Sequence, residues 1–208
     1  MRVYEYGKPA APVVLIQPVE EHDLKEIGQE VALIERLSGE DFRLIAVQVD
    51  HWNADLSPWE APAVFRKEGF AGGAEKTFAE VTRFCTEEEK TYYIGGYSLA
   101  GLFALWAACR AEVFKGVAAA SPSVWFPGFA EDMREHRIKS RAVYLSLGDR
   151  EEKTRNPVMA SVGEKIREIE GLLHKQGVDC VLEWNPGNHF QDAALRTAKA
   201  FAWVMKRR

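Results

Sequence analysis

Cysteine is scarce in this chain, and long apolar runs are absent from it. Its 208 residues include three cysteines, Cys85, Cys109 and Cys180, an odd number without the clustering that a metal site requires. We therefore expect free thiols in a reducing compartment, with the cytoplasm as the location, and no bound metal. No apolar stretch approaches the roughly 20 residues that cross a bilayer, and the first six residues lack the apolar segment of a signal peptide. We accordingly expect no membrane contact.

An excess of positive charge is also missing. The 27 Lys and Arg residues are outnumbered by 31 Asp and Glu residues, which gives a formal net charge of -4 at pH 7. Nucleic-acid binding is therefore not expected, since it requires a basic surface. What remains is the composition of an ordinary globular protein, with 47% hydrophobic and 28% charged residues. The length predicts one domain, residues 1–208, around a sizeable core.

Short apolar runs alternate with amphipathic patterns along the chain. The runs are typical of strands that are covered on both faces, as in a parallel sheet, and we expect an edge strand at the N-terminus. Between them, apolar residues recur at helical spacing, for example over 24–37 and 158–172. This alternation predicts a three-layer α/β domain with a mostly parallel central sheet, right-handed crossovers and helices on both faces. The six predicted strands cover residues 13–16, 44–49, 92–95, 117–120, 142–147 and 180–184.

One segment has the pattern of a catalytic serine. Residues 92–106 read YYIGGYSLAGLFALW: an apolar strand, a tight turn around Ser98, and a helix that begins with small residues. In the nucleophile elbow of α/β-hydrolases, G-x-S-x-G, a strained turn lifts the serine hydroxyl to the end of the strand, beside a helix N-terminus. Gly96 occupies the first glycine position, and Ala100 stands in place of the second, followed by Gly101. Ser98 is the predicted nucleophile; the alternative is an ordinary turn in which it caps the helix.

The base that a nucleophilic serine needs is predicted from chain order. A serine hydroxyl is weakly acidic, so a base must accept its proton and a third group must orient that base. In this fold the order is serine, acid, histidine, with the last two in loops at the carboxyl ends of later strands. Of five histidines, His189 is the one between the final predicted strand and the last helix. His189 is the predicted base, with a helix-capping loop residue as the alternative.

Three carboxylates follow the strand at 142–147 and are candidates for the acid. Glu151 lies three residues beyond the strand-ending Gly148, the usual offset for such an acid, and is the preferred candidate. Asp149 sits in the tightest part of the turn, where aspartate often bonds to the backbone, and is the alternative. Glu152 is the third candidate.

The oxyanion hole is built from backbone N–H groups, so the sequence locates it by position alone. Leu99, directly after the predicted nucleophile, is the first expected donor. The second is expected in the loop after the strand at 13–16, which reads QPVE over 17–20. Because Pro18 has no N–H, Val19 is the predicted donor there.

Aromatic residues after strand ends are the candidates for a substrate pocket. Trp52, Trp59 and Trp125 lie at the edge where an acyl or alcohol group would be bound, and Ser121 is a candidate polar contact. The alternative for each tryptophan is packing of its loop onto the sheet, and for Ser121 a role in the turn alone.

Three of these segments together resemble the small esterases related to esterase D and to the enterochelin (siderophore) esterases. They are GYSLAG at 96–101, SPSVWF at 121–126 and GNHF at 187–190, whose order and spacing cover about residues 90–190. The resemblance implies a serine hydrolase of the α/β-hydrolase fold that acts on ester bonds without a metal or organic cofactor, with Ser98 as nucleophile and His189 as base. Two features depart from the group: QPVE replaces the usual His-Gly oxyanion loop, and the N-terminal part is reduced.

These residues predict a serine carboxylic-ester hydrolase that acts on a small-molecule ester. An acyl-enzyme would form on Ser98, with His189 as general base and an acidic third member. An acyltransferase, which passes the same acyl group to another acceptor, is the first alternative. The second is an inactive hydrolase-fold binding protein, which typically loses the serine, the histidine or the small flanking residues; all of these are present here.

Overall fold

Strands and helices alternate along residues 1–64 and 68–207, which the computed structural model describes. The strands are β1 (Arg2–Gly7), β2 (Val13–Val19), β3 (Phe42–Gln48), β4 (Glu60–Ala61), β5 (Phe70–Ala71), β6 (Thr91–Tyr97), β7 (Phe114–Ala120), β8 (Ala142–Gly148) and β9 (Asp179–Asn185). The helices are α1 (Glu21–Ser38), α2 (Trp52–Leu56), α3 (Ala74–Thr82), α4 (Leu99–Ala108), α5 (Phe129–Glu135), α6 (Pro157–Ala160), α7 (Val162–Lys175) and α8 (Ala193–Met205), with a 3₁₀ turn at Glu151–Lys153. No helix in these ranges is long and apolar enough to cross a membrane.

Seven of the strands form the central sheet, in the order β1-β3-β2-β6-β7-β8-β9. β1 runs antiparallel to β3 at one edge, and every other neighbouring pair is parallel. The six predicted buried strands all lie in this sheet, and β1 is the predicted N-terminal edge strand. β4 and β5 pair with each other in a separate antiparallel ribbon.

Side chains of the sheet alternate between two apolar cores, which explains the continuous apolar runs. In β2, Val14 and Ile16 face one core, and Val13 and Leu15 face the other. Helices α2, α3, α4, α5 and α7 complete the first core, and α1 and α8 complete the second. Removal of both faces from water is the main stabilising contribution to such a sheet. The predicted layers, with helices on both faces, are therefore confirmed.

The helix that follows Ser98 is buried on every side. All ten residues of α4 are buried, and all are small or apolar (LAGLFALWAA). Tertiary packing stabilises a helix of this kind, and the Ser98 side chain makes no capping hydrogen bond to it. The serine hydroxyl is therefore left for other partners.

The helix predicted over 158–172 is interrupted at Ser161. α6 ends at Ala160 and α7 begins at Val162, although the apolar spacing continues across the break. The hydroxyl of Ser161 donates a 2.6 Å hydrogen bond to the carbonyl of Val158. A serine that bonds back to the preceding turn competes with the regular helical pattern, which accounts for the interruption.

The carboxyl ends of the parallel strands meet at one edge of the sheet, where ligand sites of open α/β sheets lie. Ser98 follows β6, Ser121 follows β7, and Glu151 and His189 follow β8 and β9. Four consecutive neighbours in the sheet thus deliver polar side chains to the same edge.

Candidate active site

Ser98 occupies a strained turn between β6 and α4. Its φ of 57° and ψ of -121° lie outside the regions that non-glycine residues ordinarily adopt. Backbone hydrogen bonds hold this conformation, since the Ser98 N–H donates to the Ala120 carbonyl at 3.1 Å and its carbonyl accepts from Leu102 and Ser123 at 3.1 and 3.0 Å. This is the geometry that an elbow needs to expose a hydroxyl at a strand end.

Close approach of strand and helix explains the small residues around Ser98. A Cβ on Gly96 would lie 2.6 Å from Cβ of Ala100, and a Cβ on Gly101 would lie 3.0 Å from the Gly96 carbonyl oxygen. The methyl group of Ala100 is accommodated because Gly96 has no side chain facing it. Alanine in place of the second glycine of the pattern is thus compatible with the elbow.

The structure brings together the three residues preferred from the sequence. Nε2 of His189 lies 2.9 Å from Oγ of Ser98, and Nδ1 lies 2.7 Å from Oε2 of Glu151. A carboxylate accepts only, so the proton between Glu151 and His189 belongs to Nδ1, and Nε2 is left to accept from the serine hydroxyl. The Glu151 side chain is 4% exposed and that of His189 24% exposed. The arrangement can move a proton from Ser98 to a half-buried imidazole whose charge Glu151 balances.

The second oxygen of Glu151 is held by three donors. Oε1 accepts from the N–H of Gly148 at 2.7 Å, from the hydroxyl of Ser121 at 2.8 Å and from Nη1 of Arg196 at 3.0 Å. Burial alone would raise the pKa of this carboxyl. The hydrogen bond and charge of His189, together with the Gly148 and Ser121 donors, outweigh burial, so the pKa of Glu151 lies below its usual range. Glu151 is therefore ionised at neutral pH.

The other two candidate acids make different contacts. Oδ1 of Asp149 accepts from the N–H of Gly187 at 2.8 Å, which ties the end of β8 to the loop that carries His189. Glu152 pairs with Arg167 at 3.2 Å. Neither carboxylate bonds to the imidazole, so Asp149 supports the loop and Glu151 faces the ring.

Sequence reasoning missed a buried arginine behind the acid. Arg196 in α8 is 1% exposed, and its Nη1 also bonds to the Tyr97 hydroxyl at 3.1 Å and to Oγ of Ser121 at 3.2 Å. Tyr97 in turn donates to the carbonyl of His189 at 2.8 Å. The only signal for it in the sequence was a charged residue on the apolar face of the last helix. That signal was weak, because arginine in a helix is ordinarily exposed.

A second serine, Ser123 of the SPSVWF segment, lies beside Ser98. Oγ of Ser123 lies 3.1 Å from Oγ of Ser98, and Ser123 is 2% exposed. Because the Ser98 proton is directed at His189, the Ser123 hydroxyl is the donor of this pair. A donor at this position stabilises negative charge that develops on the nucleophile.

The predicted oxyanion donors lie at the expected strand and helix ends. Leu99 is the first residue of α4, where an N–H has no intrahelical partner and lies at the positive end of the helix dipole. Val19 is the last residue of β2 and fully buried, and its carbonyl accepts from the N–H of Val49 at 3.0 Å. The N–H of the next residue, Glu20, is bound by Oδ2 of Asp23 at 2.9 Å. Both oxyanion assignments stay predictions.

A cavity of about 300 Å³ opens beside His189. Trp125 and Ser121, two of the predicted substrate-contact residues, line it, and the Ser121 hydroxyl is also engaged by Glu151. Trp52 and Trp59 are not among its lining residues and pack against the apolar core instead. The indole N–H of Trp59 donates to the Pro127 carbonyl at 2.9 Å. Trp125 is itself part of that core, and the assignment of these residues to substrate binding stays a prediction. Within the described residues, no group of three or more His, Cys, Asp or Glu side chains is arranged to hold a metal ion.

Comparison with known proteins identifies the fold. No protein-family model and no curated protein matches the chain. Among solved structures, an IroE-like serine hydrolase from Shewanella oneidensis is similar, with a TM-score of 0.75 and 15% identity over 98% of this chain and 75% of that one. The siderophore hydrolase EstA from Aspergillus nidulans (TM-score 0.69, 18% identity, 97% and 85% covered) and a Bacillus cereus carboxylesterase (0.63, 16%, 100% and 95%) are similar too. The chain therefore has the predicted α/β-hydrolase fold, and its structural neighbours include siderophore esterases, as the resemblance implied.

Proposed function

We propose that this α/β-hydrolase cleaves carboxylic esters of small molecules, with Ser98 as nucleophile, His189 as general base and Glu151 as the acid. The observation that carries the proposal is the unbroken line of hydrogen bonds from Oγ of Ser98 through the imidazole to Glu151. It begins at a serine whose backbone is strained, and strain of this kind persists where the surrounding structure maintains it for a function.

In the proposed first half-reaction, Oγ of Ser98 attacks the ester carbonyl while Nε2 of His189 takes its proton. Glu151 holds the Nδ1 proton and balances the charge of the imidazolium. The N–H of Leu99 stabilises the negative oxygen of the tetrahedral intermediate. When the intermediate collapses, the C–O bond to the alcohol breaks, His189 returns its proton to that oxygen, and the acyl group stays on Ser98.

In the second half-reaction, water takes the place of the alcohol. His189 removes a proton from the water as its oxygen attacks the acyl-enzyme, and the same proton then passes to Oγ of Ser98 as the acid departs. The imidazole is 24% exposed, so water reaches it directly. This access favours hydrolysis over transfer of the acyl group to another acceptor. An inactive binding protein would not require an aligned imidazole and a strained serine together.

The similar structures support the same reaction class, since they are a serine hydrolase, a siderophore hydrolase and a carboxylesterase. We assign the activity to one domain of residues 1–208 and to the cytoplasm. The free state of Cys85, Cys109 and Cys180 supports a reducing compartment. Burial raises the pKa of each of these thiols to about 12, so they do not compete with Ser98 as nucleophiles.

Labelling and turnover test the proposal together. The wild-type protein is expected to react with a fluorophosphonate probe and to hydrolyse p-nitrophenyl butyrate, whereas Ser98→Ala loses labelling and at least about a thousandfold in kcat/KM. Ser38→Ala, at the end of α1, is the matched control and should behave like the wild type. An unlabelled wild-type protein, or equal turnover by Ser98→Ala, contradicts the proposal.

A further inference from the structure

Two cationic side chains line the cavity beside His189. Arg150 and Lys153 flank Glu151 on the chain, at the turn that follows β8. Among the residues that the structure describes, neither side chain lies within ion-pairing distance of a carboxylate. Both are therefore available to a ligand.

The carboxylates nearest these cations along the chain are already engaged. Glu151 pairs with His189 and with Arg196, and Glu152 pairs with Arg167. The carboxylate of Asp149 accepts from the backbone of the His189 loop, and Asp149 does not line the cavity. The charge that the cavity wall presents to an incoming molecule is therefore positive.

Backbone hydrogen bonds hold the main chain from which these two cationic side chains extend. The N–H of Arg150 donates to the Gly187 carbonyl at 3.1 Å, and the N–H of Lys153 donates to the Arg150 carbonyl at 3.1 Å. The loop that positions His189 thus holds Arg150, and Arg150 in turn holds Lys153. Both residues are exposed, and two cations whose backbones are held beside the reacting groups attract an anion to that place.

The remainder of the wall is largely apolar. Trp125, Met159 and Val162 contribute to it, together with Phe190, whose side chain is 90% exposed at the site. At about 300 Å³ the cavity is at the small end of ligand pockets. Its size and its lining suit a short carbon skeleton that ends in a negative charge.

We propose that the Ser98 site selects esters that carry a free acidic group, such as a second carboxylate, which Arg150 and Lys153 bind while the apolar wall holds the carbon chain. The proposal rests on the esterase function above and specifies its substrate class. The acidic group belongs to either the acyl or the alcohol part of the ester, and matched substrates separate the two.

The first experiment compares esters that differ by one charge. Mono-p-nitrophenyl glutarate is paired with p-nitrophenyl valerate, which replaces the terminal carboxylate by a methyl group; 4-(butyryloxy)benzoate is paired with its methyl ester. After subtraction of the enzyme-free rate, we expect kcat/KM to favour the anion by about tenfold or more in at least one pair at low salt, and the preference to shrink in 0.5 M NaCl, because salt screens the attraction. Equal rates, or a preference for the neutral ester, in both pairs would overturn the proposal.

The second experiment assigns the preference to the two cations. Arg150→Gln and Lys153→Gln should each lower the anion-to-neutral ratio of kcat/KM by roughly three- to tenfold, and the double variant by more. Arg155→Gln removes the same charge from an exposed residue of the same loop that does not line the cavity, and its ratio should match the wild type. If Arg155→Gln lowered the ratio as much as Arg150→Gln and Lys153→Gln do, the preference would come from the overall charge of the protein. That result would contradict specific binding of the anion by Arg150 and Lys153.

The outcomes also separate this inference from the esterase proposal. If no ester is turned over, or if Ser98→Ala remains active, the proposed function fails. If neutral esters are hydrolysed by Ser98 without any preference for the anion, only the substrate class proposed here is wrong.

Discussion

Nη1 of Arg196 donates a 3.0 Å hydrogen bond to Oε1 of Glu151, the carboxylate oxygen that faces away from His189. Both side chains are almost fully buried, at 1% and 4% exposure. The same nitrogen also contacts the hydroxyls of Tyr97 and Ser121. A buried carboxylate between an imidazole and a guanidinium is fixed in orientation and remains charged. Arg196 is thus placed to position the acid without itself reaching the reacting atoms.

Replacement of this arginine tests that role. Arg196→Met leaves a buried carboxylate without its cation, and we expect a loss of about 3–5 kcal/mol in the free energy of unfolding. Loss of the cation also raises the pKa of Glu151, so the acid limb of the kcat/KM profile should move to higher pH. Arg196→Lys restores the charge without the planar fork and should be intermediate. Urea unfolding and pH–rate profiles measure both effects.

The control for that experiment lies on the same helix. Lys199 pairs with Glu183 at about one-third exposure, so Lys199→Met should change stability by no more than about 1 kcal/mol and leave the pH profile in place. If Arg196→Met destabilises the fold but leaves the acid limb where it was, the arginine is purely structural.

The identity of the acid gives a second prediction. Glu151→Gln keeps the shape of the side chain but removes the charge that balances the imidazolium, and it should lower kcat by roughly 10³- to 10⁴-fold. Asp149→Asn retains an oxygen that accepts from Gly187, so it should lower kcat only a few-fold. Turnover of p-nitrophenyl butyrate by the two purified variants decides between them. The reverse order of losses would transfer the acid role to Asp149.

The sheet and the position of Ser98 were predictable because each leaves a local pattern in the sequence. A strand covered on both faces reads as a short apolar run, and the elbow needs small residues on both sides of Ser98. His189 follows from chain order alone, because parallel strands present their carboxyl ends at one edge. In each of these cases the order or the type of residues along the chain reflects what the folded structure requires at that position.

The features that were missed depend on contacts between distant segments. The Arg196–Glu151 hydrogen bond joins residues 45 positions apart, and no spacing rule signals it. Trp125 lines the cavity beside His189, whereas Trp52 and Trp59 are not among its lining residues, because tertiary packing sets the direction of each side chain. The break at Ser161 was hidden because the apolar periodicity continues through it.

A buried glutamate in α1 gives a third prediction, on pH-dependent stability. Burial raises the pKa of Glu30 in α1 to about 8, with a smaller contribution from Asp23 and an opposing hydrogen bond from Gln17. The folded protein therefore keeps this proton up to about pH 8, whereas the unfolded chain releases it near the usual value of 4.5. The free energy of unfolding should fall as pH rises between these values and level off above them.

Glu30→Gln removes this dependence. The variant should equal the wild type in stability near pH 4.5 and exceed it at pH 8 by several kcal/mol in order of magnitude, which thermal melts at the two pH values would measure. Glu35→Gln, an exposed residue of the same helix, is the matched control and should show no such pH-dependent gain. A Glu30→Gln variant that is less stable than the wild type at pH 8 would mean that the carboxylate is ionised and partnered.

The contact between Gly96 and Ala100 gives a fourth prediction. A Cβ on Gly96 would lie 2.6 Å from Cβ of Ala100, closer than two carbon atoms pack, so Gly96→Ala should cost about 1–3 kcal/mol in stability and displace the serine. In the double variant Gly96→Ala, Ala100→Gly the clashing methyl is gone, and the nearest remaining atom is the Ala100 carbonyl carbon at 3.3 Å. Gly96 also has a φ of 157°, which residues with a side chain rarely adopt. We therefore expect the double variant to regain only part of the lost melting temperature and esterase rate, while Ala100→Gly alone stays within about 1 kcal/mol of the wild type. Purely additive effects of the two changes would show that the methyl contact does not control the elbow.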